Sequence, residues 1–277
     1  MLGTIIGDMV GSVYEFHNLK SKEFPFLGLH CFPTDDSIMT IAVAKAILEN
    51  GGKAEGLGEK TAAWMRRIGR QYPRCGYGRR FSRWIFCDDP QPYGSFGNGA
   101  AMRVSPCGWA AQSLAEVKAL SYAVSAVTHN HPEGIKGAEA TACAVYLART
   151  GSSKEAIRSF IETEYYNLNF TLDGVRPLYR FDESCQGTVP QAIEAFLESE
   201  SFEDAVRNAI SIGGDSDTLA AITGSIAEAY YGIPDNLREQ AVGQFRFACI
   251  TRYPTATETD GSKLLSIVKQ FEARYGG

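Results

Sequence analysis

The chain reads as an all-α protein. Three observations predict it: apolar residues recur at three- and four-residue spacing along most of the sequence, period-two alternation is scarce, and small residues are frequent inside the periodic segments. The first clear helix is expected over 38–48, where Ile41, Ala44, Lys45 and Leu48 share a face. Segments 114–127, 137–147, 189–197, 202–212, 219–230 and 264–273 repeat the pattern. Ser113, with Glu116 three residues on, and Ser201, with Glu203 and Asp204 in the following turn, supply start signals. Gly232-Ile233-Pro234 stops one helix, and Asp235 or Asn236 can start the next. Residues 18–33, 76–98 and 168–187 are rich in Gly, Pro and aromatics and read as ordered loops. Alternating small residues (Ala138, Ala140, Ala142, Ala144; Ala220, Ala221, Gly224, Ala227) let helix axes approach closely, which suits a compact bundle around a buried central helix. No composition shift marks a domain boundary, so a single domain over 1–277 is expected.

Composition narrows the function. The 27 basic and 32 acidic residues give a net charge of −5 with no basic stripe, which disfavours duplex nucleic acid as a partner. Arginines 66, 67, 70, 79, 80 and 83 could serve an anionic substrate, although a solvated helix face is the simpler reading. Seven cysteines with no C-x-x-C pair disfavour a disulfide framework or a zinc ribbon and favour a reducing cytoplasm. The apolar start, 1–16, carries Asp8 and Glu15 and lacks a basic leader, so it is not read as a signal peptide. No stretch has the apolar length of a membrane span.

Two acidic segments stand out. Thr34-Asp35-Asp36-Ser37 and Gly213-Gly214-Asp215-Ser216-Asp217-Thr218 each crowd two carboxylates and a threonine hydroxyl ahead of an alanine-rich helix. Either alone fits helix capping, since first turns favour acids and Thr or Asp caps. Capping needs only one side-chain oxygen, however, and close carboxylates repel unless a cation lies between them. An all-oxygen donor set suits Mg²⁺ or Mn²⁺ rather than zinc. Brought together, the segments would make a two-metal hydrolytic site with Thr34, Asp35, Asp36, Asp215, Asp217 and Thr218 as ligands.

Three weaker motifs accompany them. Ser95-Phe96-Gly97-Asn98-Gly99, running on to Arg103, is a glycine-rich loop entering a helix, able to cradle phosphate or simply to make a tight helix entry. His129 and His131, two of four histidines, precede a helix start and could bind metal, bind phosphate or cap. On the N-terminal helix, spacing places Asp8, Ser12 and Glu15 on one face.

In this order, Gly-Asp-x-x-Gly-Ser-x-x-Glu (7–15), Thr-Asp-Asp-Ser (34–37), Ser-Phe-Gly-Asn-Gly-Ala-Ala-Met-Arg (95–103), Thr-His (128–129) and Gly-Gly-Asp-Ser-Asp-Thr (213–218), the chain resembles the ADP-ribosylglycohydrolase family. That family includes dinitrogenase-reductase-activating glycohydrolases and vertebrate ADP-ribosylhydrolases. The resemblance implies an orthogonal helical bundle, two divalent cations, and hydrolysis of the glycosidic bond joining ADP-ribose to a protein side chain or a small conjugate. It implies the six metal ligands above and a Ser95-Phe96-Gly97-Asn98-Gly99 loop that holds the diphosphate and distal ribose. His129 would touch phosphate or ribose. Glu15 resembles a mobile acid of the subgroup that prefers serine-linked ADP-ribose. Asp36, Glu15 and Asp35 are the candidates for moving the proton. A monomer acting in the cytoplasm on an ADP-ribosylated protein or ADP-ribosyl small molecule is expected. The rival readings are an all-α magnesium-dependent nucleotide pyrophosphohydrolase and a catalytically retired ADP-ribose binder or structural member.

Overall fold

A computed structural model describes residues 1–253 and 261–276. The expected all-α architecture is present: fourteen α-helices are found among the described residues, and the one strand-like pairing is an isolated bridge between Gly97 and Ser184. In chain order the helices are α1 (Leu2–Gly11), α2 (Asp35–Glu49), α3 (Leu57–Gly69), α4 (Arg79–Phe86), α5 (Ser105–Ala110), α6 (Leu114–Ser125), α7 (Pro132–Arg149), α8 (Lys154–Glu164), α9 (Leu172–Val175), α10 (Cys185–Leu197), α11 (Phe202–Ser211), α12 (Ser216–Tyr231), α13 (Asp235–Arg252) and α14 (Ser262–Tyr275).

Helix α12 is the buried centre. Every residue from Ser216 to Glu228 is shielded from solvent, and α1, α7, α10 and α11 pack around it. Its small residues make this possible, and so does a glycine stripe on α1. A Cβ on Gly3, Gly7 or Gly11 would lie 2.3, 2.0 or 2.4 Å from the carbonyls of Gly224, Ala220 and Ser216. The two helices therefore run antiparallel with their backbones in contact. Near the start of α1, Glu228 accepts the amides of Leu2 and Gly3 at 3.2 and 2.8 Å. At the other end of the pair, the C-terminus of α1 meets the N-termini of α2 and α12.

The start signals act as expected. Ser113 accepts from Glu116 N at 3.2 Å, and Ser201 accepts from Asp204 N at 3.1 Å. Two expectations need correction. The N-terminal helix expected to carry Asp8, Ser12 and Glu15 on one face ends at Gly11: Ser12 is its C-cap, and its hydroxyl folds back onto Met9 O at 2.8 Å. Glu15 thus sits on an irregular segment, beyond the helical face shared with Asp8. Second, two of the segments read as irregular hold helix: 76–98 contains α4, whose amphipathic face (Phe81, Trp84, Ile85) was hidden among arginines, and 168–187 contains the short α9 and the first residues of α10. No disulfide joins any of the seven cysteines among the described residues, and no helix of the described residues is long and apolar enough to cross a membrane.

Candidate active site

The two acidic segments, about 180 positions apart in sequence, line one cavity of about 300 Å³. Along its acidic wall stand Glu15, Asp35, Asp36, Asp215 and Asp217, with Thr218 beside them. The N-termini of α2 and α12 point at this wall, so two sets of helix-end N–H groups favour the carboxylates.

Asp8, on α1, holds the first acidic segment in place. Its Oδ2 accepts Thr34 N at 2.9 Å and Ser37 N at 3.0 Å, its Oδ1 accepts Thr34 Oγ1 at 2.6 Å, and Ser37 Oγ also donates to Oδ2. One buried carboxylate thereby satisfies the start of α2 from a different helix. Thr34 also caps its own helix, accepting from Asp36 N at 3.4 Å. Asp36 is buried: Thr218 Oγ1 approaches its Oδ2 at 3.3 Å and Thr34 Oγ1 at 3.4 Å, while its Oδ1 is buried with no hydrogen-bond partner among the described residues.

The second segment is set by Gly213 and Gly214, with φ of +69° and +80°, a double left-handed turn that side chains resist. Asp215 occupies the N-cap position of α12 without making a side-chain cap bond. Its Oδ2 accepts Asn98 Nδ2 at 2.7 Å instead. The same Nδ2 reaches Thr188 Oγ1 at 3.1 Å. The capping explanation thus holds for Thr34 and fails for Asp215.

Two overlapping triads have carboxylate oxygens within 4.8 Å of one another: Asp8, Asp36 and Asp217, and Glu15, Asp215 and Asp217. Asp217 belongs to both. Asp35 belongs to neither; it lines the cavity with its Oδ1 packed over Gly76, where a Cβ would come within 2.8 Å. Burial and mutual repulsion raise the proton affinity of the whole set. Asp8 and Asp215 are pushed up to about 6, both chiefly by burial. Glu15 is pushed up to about 8 by burial and then by Asp217 and Asp8. Asp35 and Asp36 are raised by burial and then by Asp217, and Asp217 by burial and then by Asp215. An oxygen-only donor set, carboxylates crowded this closely and an orphaned Asp36 Oδ1 together fit hard divalent cations.

The opposite wall is built from the glycine loop and cations. Asn98 N donates to Glu183 O at 2.7 Å, Cys185 N to Phe96 O at 2.9 Å, and Gly97 N to Ser95 Oγ at 3.2 Å. The loop is thereby clamped to the start of α10, and the amides of Gly97 and Asn98 are engaged within the protein. Gly99 lies in a single 3-10 turn over Asn98–Ala100, in place of the longer helix start read from sequence. Ser95, Gly97, Asn98 and Gly99 line the cavity, whereas Phe96 is 47% exposed and leans on the His131 ring at 5.4 Å. His129 lines the cavity and is buried; burial and the charges of Arg103 and Arg80 hold it well below the ordinary imidazole value, so it is neutral at pH 7. His131 is a cap: its Nδ1 accepts Glu133 N at 3.1 Å at the start of α7.

Tyr93, Arg103 and Glu183 line the cavity without having been singled out as site residues, and Arg79 and Arg80, of the arginines offered for an anionic substrate, line it too. Arg80 stacks over Tyr93 at 4.7 Å, so it is part of the wall and not only of a solvated helix face. Asp8 was noted for its helical position, but its place in a carboxylate triad depends on a helix contact no local pattern reveals.

A family model described as ADP-ribosylglycohydrolase matches residues 1–264. The chain belongs to this family, and is a hydrolase. ADP-ribosylhydrolase ARH3 of Mus musculus is 26% identical, over 88% of this chain and 86% of its own. ADP-ribosyl-[dinitrogen reductase] glycohydrolase of Rhodospirillum rubrum is 25% identical, over 84% and 85%. ADP-ribosylarginine hydrolase Tri1 of Pseudomonas putida (strain GB-1) is 26% identical, over 84% and 70%. A solved structure titled ADP-ribosylglycohydrolase-related protein complex superposes with a TM-score of 0.64, covering 89% of this chain and 95% of that one at 24% identity, and shows the shared fold.

Proposed function

We propose that the protein is a divalent-cation-dependent hydrolase that cleaves the glycosidic bond between ADP-ribose and a modified side chain or small conjugate. The observation that carries this reading is the meeting of Asp36, Asp215, Asp217 and Glu15 in one cavity, with Asp8 buried behind them, in a chain whose family is ADP-ribosylglycohydrolase. Two cations, Mg²⁺ or Mn²⁺, fit the two triads that share Asp217. Asp36, Asp215 and Asp217 would hold them, with Thr34, Thr218 and Asp35 at their margin and Asp8 ordering the start of α2 behind them. When bound, such cations polarise substrate oxygens, lower the pKa of water and cancel the negative field of the acidic wall.

The chain's own residues supply the rest. Arg79, Arg80, Arg103 and the neutral His129 form the wall that receives the diphosphate, with Gly97 and Gly99 keeping it open. Asn98 serves the site by holding Asp215. Cleavage at an anomeric carbon develops oxocarbenium character, and the acidic side of the cavity suits a ribose carrying that growing charge. Glu15 is the proton-moving group: it is partly exposed, sits on an irregular segment, and faces the cavity beside Asp215 and Asp217. Asp36 is less free to do so, being buried with its Oδ2 against the Thr218 hydroxyl at 3.3 Å.

A panel of serine-linked, arginine-linked and O-acetyl ADP-ribose, each with Mg²⁺, Mn²⁺ or chelator, tests the reading. Release of ADP-ribose from at least one conjugate, lost with chelator, is expected. Glu15 favours the serine-linked conjugate. Cation-dependent hydrolysis of nucleoside triphosphates with none of any ADP-ribosyl conjugate would replace this reading with the pyrophosphohydrolase. Tight ADP-ribose binding without turnover would replace it with a retired binder.

A further inference from the structure

Arg103 is 1% exposed, and its Nε is buried with no hydrogen-bond partner among the described residues. Its Nη2 donates to Thr128 Oγ1 at 2.7 Å and lies 3.5 Å from His129 Nδ1. Thr128, fully buried, completes the triangle, with Oγ1 2.7 Å from His129 Nδ1. These contacts leave one consistent arrangement of hydrogens. A guanidinium only donates, so Thr128 Oγ1 accepts from Arg103. The threonine has one hydrogen of its own, and His129 Nδ1 is the other partner of Oγ1 among the described residues. Were Nδ1 protonated, its N–H would take the second lone pair of Thr128 Oγ1, leaving the threonine hydrogen without an acceptor among these contacts and the Arg103 N–H facing Nδ1 without one as well.

We infer that Arg103, acting through Thr128, fixes His129 as the Nε2–H tautomer, so that the imidazole is a hydrogen-bond donor into the glycine-loop side of the cavity. The direction of Nε2 is set by geometry. A Cβ on Gly99 would lie 3.2 Å from Nε2, and one on Gly97 3.7 Å. The ring nitrogen therefore faces the loop and is kept accessible by two residues without side chains. Thr128 does not line the cavity, so it is a positioning residue, and Arg103 positions through it. A neutral imidazole held as a donor offers an anionic oxygen a directed N–H without adding a competing charge beside Arg79 and Arg80. The substrate half of this inference rests on the proposed hydrolysis of ADP-ribosyl conjugates; the tautomer half does not.

The test is long-range ¹H–¹⁵N correlation of the imidazoles in the full-length protein. With four histidines in the chain, His129 is assigned from its loss in His129→Gln. The wild type is expected to show a protonated Nε2 and an unprotonated Nδ1. In Thr128→Val the Nδ1 resonance should leave its wild-type position, and Thr128→Ser should return it. In parallel, KM for the ADP-ribosyl conjugate should rise about fivefold in Thr128→Val, the size of one hydrogen bond, with kcat little changed, and recover in Thr128→Ser. A wild-type Nδ1–H resonance overturns the inference, as does a Thr128→Val protein whose Nδ1 signal stays in place. A moved signal with unchanged KM overturns the donor role toward substrate. If no conjugate is hydrolysed while the resonances behave as described, the relay stands and the proposed reaction fails.

Discussion

The two walls of the cavity are built on opposite principles. The glycine-loop wall is largely satisfied by its own hydrogen bonds: Ser95, Gly97, Asn98 and Cys185 exchange them with their surroundings, and His129 is tied through Thr128 to Arg103, whose Nε alone of these groups has no partner among the described residues. The acidic wall is not. Asp36 Oδ1 has no partner among the described residues, Asp217 is pressed against Asp215, and the carboxylates hold protons more tightly than free ones do. Folding has concentrated like charge in a place with little water, a cost that only a counter-cation or protonation relieves. Under the proposed function, the acidic wall takes the cations and the glycine-loop wall shapes what docks against it.

Neutralising the acidic wall should break this contrast most sharply. Asp217→Asn is expected to lower hydrolysis at least about a thousandfold, because cation chemistry supplies several kcal/mol. Yet it should raise the melting temperature of the chelated protein, about 2–4 °C for each kcal/mol of repulsion relieved in a chain of this size. Asp36→Asn should behave alike, and scanning fluorimetry beside an ADP-ribose release assay reads both effects. Asp8→Asn should do the reverse for stability. An amide nitrogen would face the Ser37 and Thr34 donors, costing about 2–4 kcal/mol with or without cations. If all three variants shifted stability in the same direction, the distinction between a holding carboxylate and a repelled one would be wrong.

A second-tier effect belongs to Asn98. Removing its 2.7 Å bond to Asp215 by Asn98→Ala should weaken divalent-cation affinity about 10- to 100-fold, as loss of partners behind metal ligands commonly does. A change in KM alone would instead make Asn98 a substrate contact. The smallest effect expected is on the pH profile. In the chelated protein the acids bind protons more tightly folded than unfolded, with Glu15 at about 8 and Asp215 and Asp8 at about 6. The folded state then holds the extra protons, so stability should fall as pH rises from about 4 to about 8. Saturating Mg²⁺ should flatten that slope by replacing the protons. A chelated protein that gains stability across the window would contradict the raised values.

Much of the acidic wall was legible in the sequence because its chemistry is local. Asp-x-Asp after Gly-Gly, and Thr-Asp-Asp before an alanine-rich run, write crowding and a tight turn into consecutive residues. The central helix was legible for the same reason, from Ala220, Ala221, Gly224 and Ala227. The parts that were not legible depend on distant partners. Asp8 acquires its role only when Gly3, Gly7 and Gly11 bring α1 onto α12. Arg103 could be quoted as the end of a motif, but its link to Thr128 joins two segments. Glu15 was placed on a helix because 3.6-residue spacing was extended past Gly11, where the chain turns away. Helix α4 went unseen because Arg79, Arg80 and Arg83 mask its apolar face.

The central claim is that the carboxylates gathered from the two acidic segments take up divalent cations. Calorimetric titration of Mn²⁺ into chelator-stripped protein, repeated with Asp217→Asn, addresses it directly. Two equivalents bound by the wild type, and a marked loss of both in the variant that removes the shared Asp217, are expected. No heat of binding in the wild type, or uptake that ignores the loss of Asp217, would contradict it.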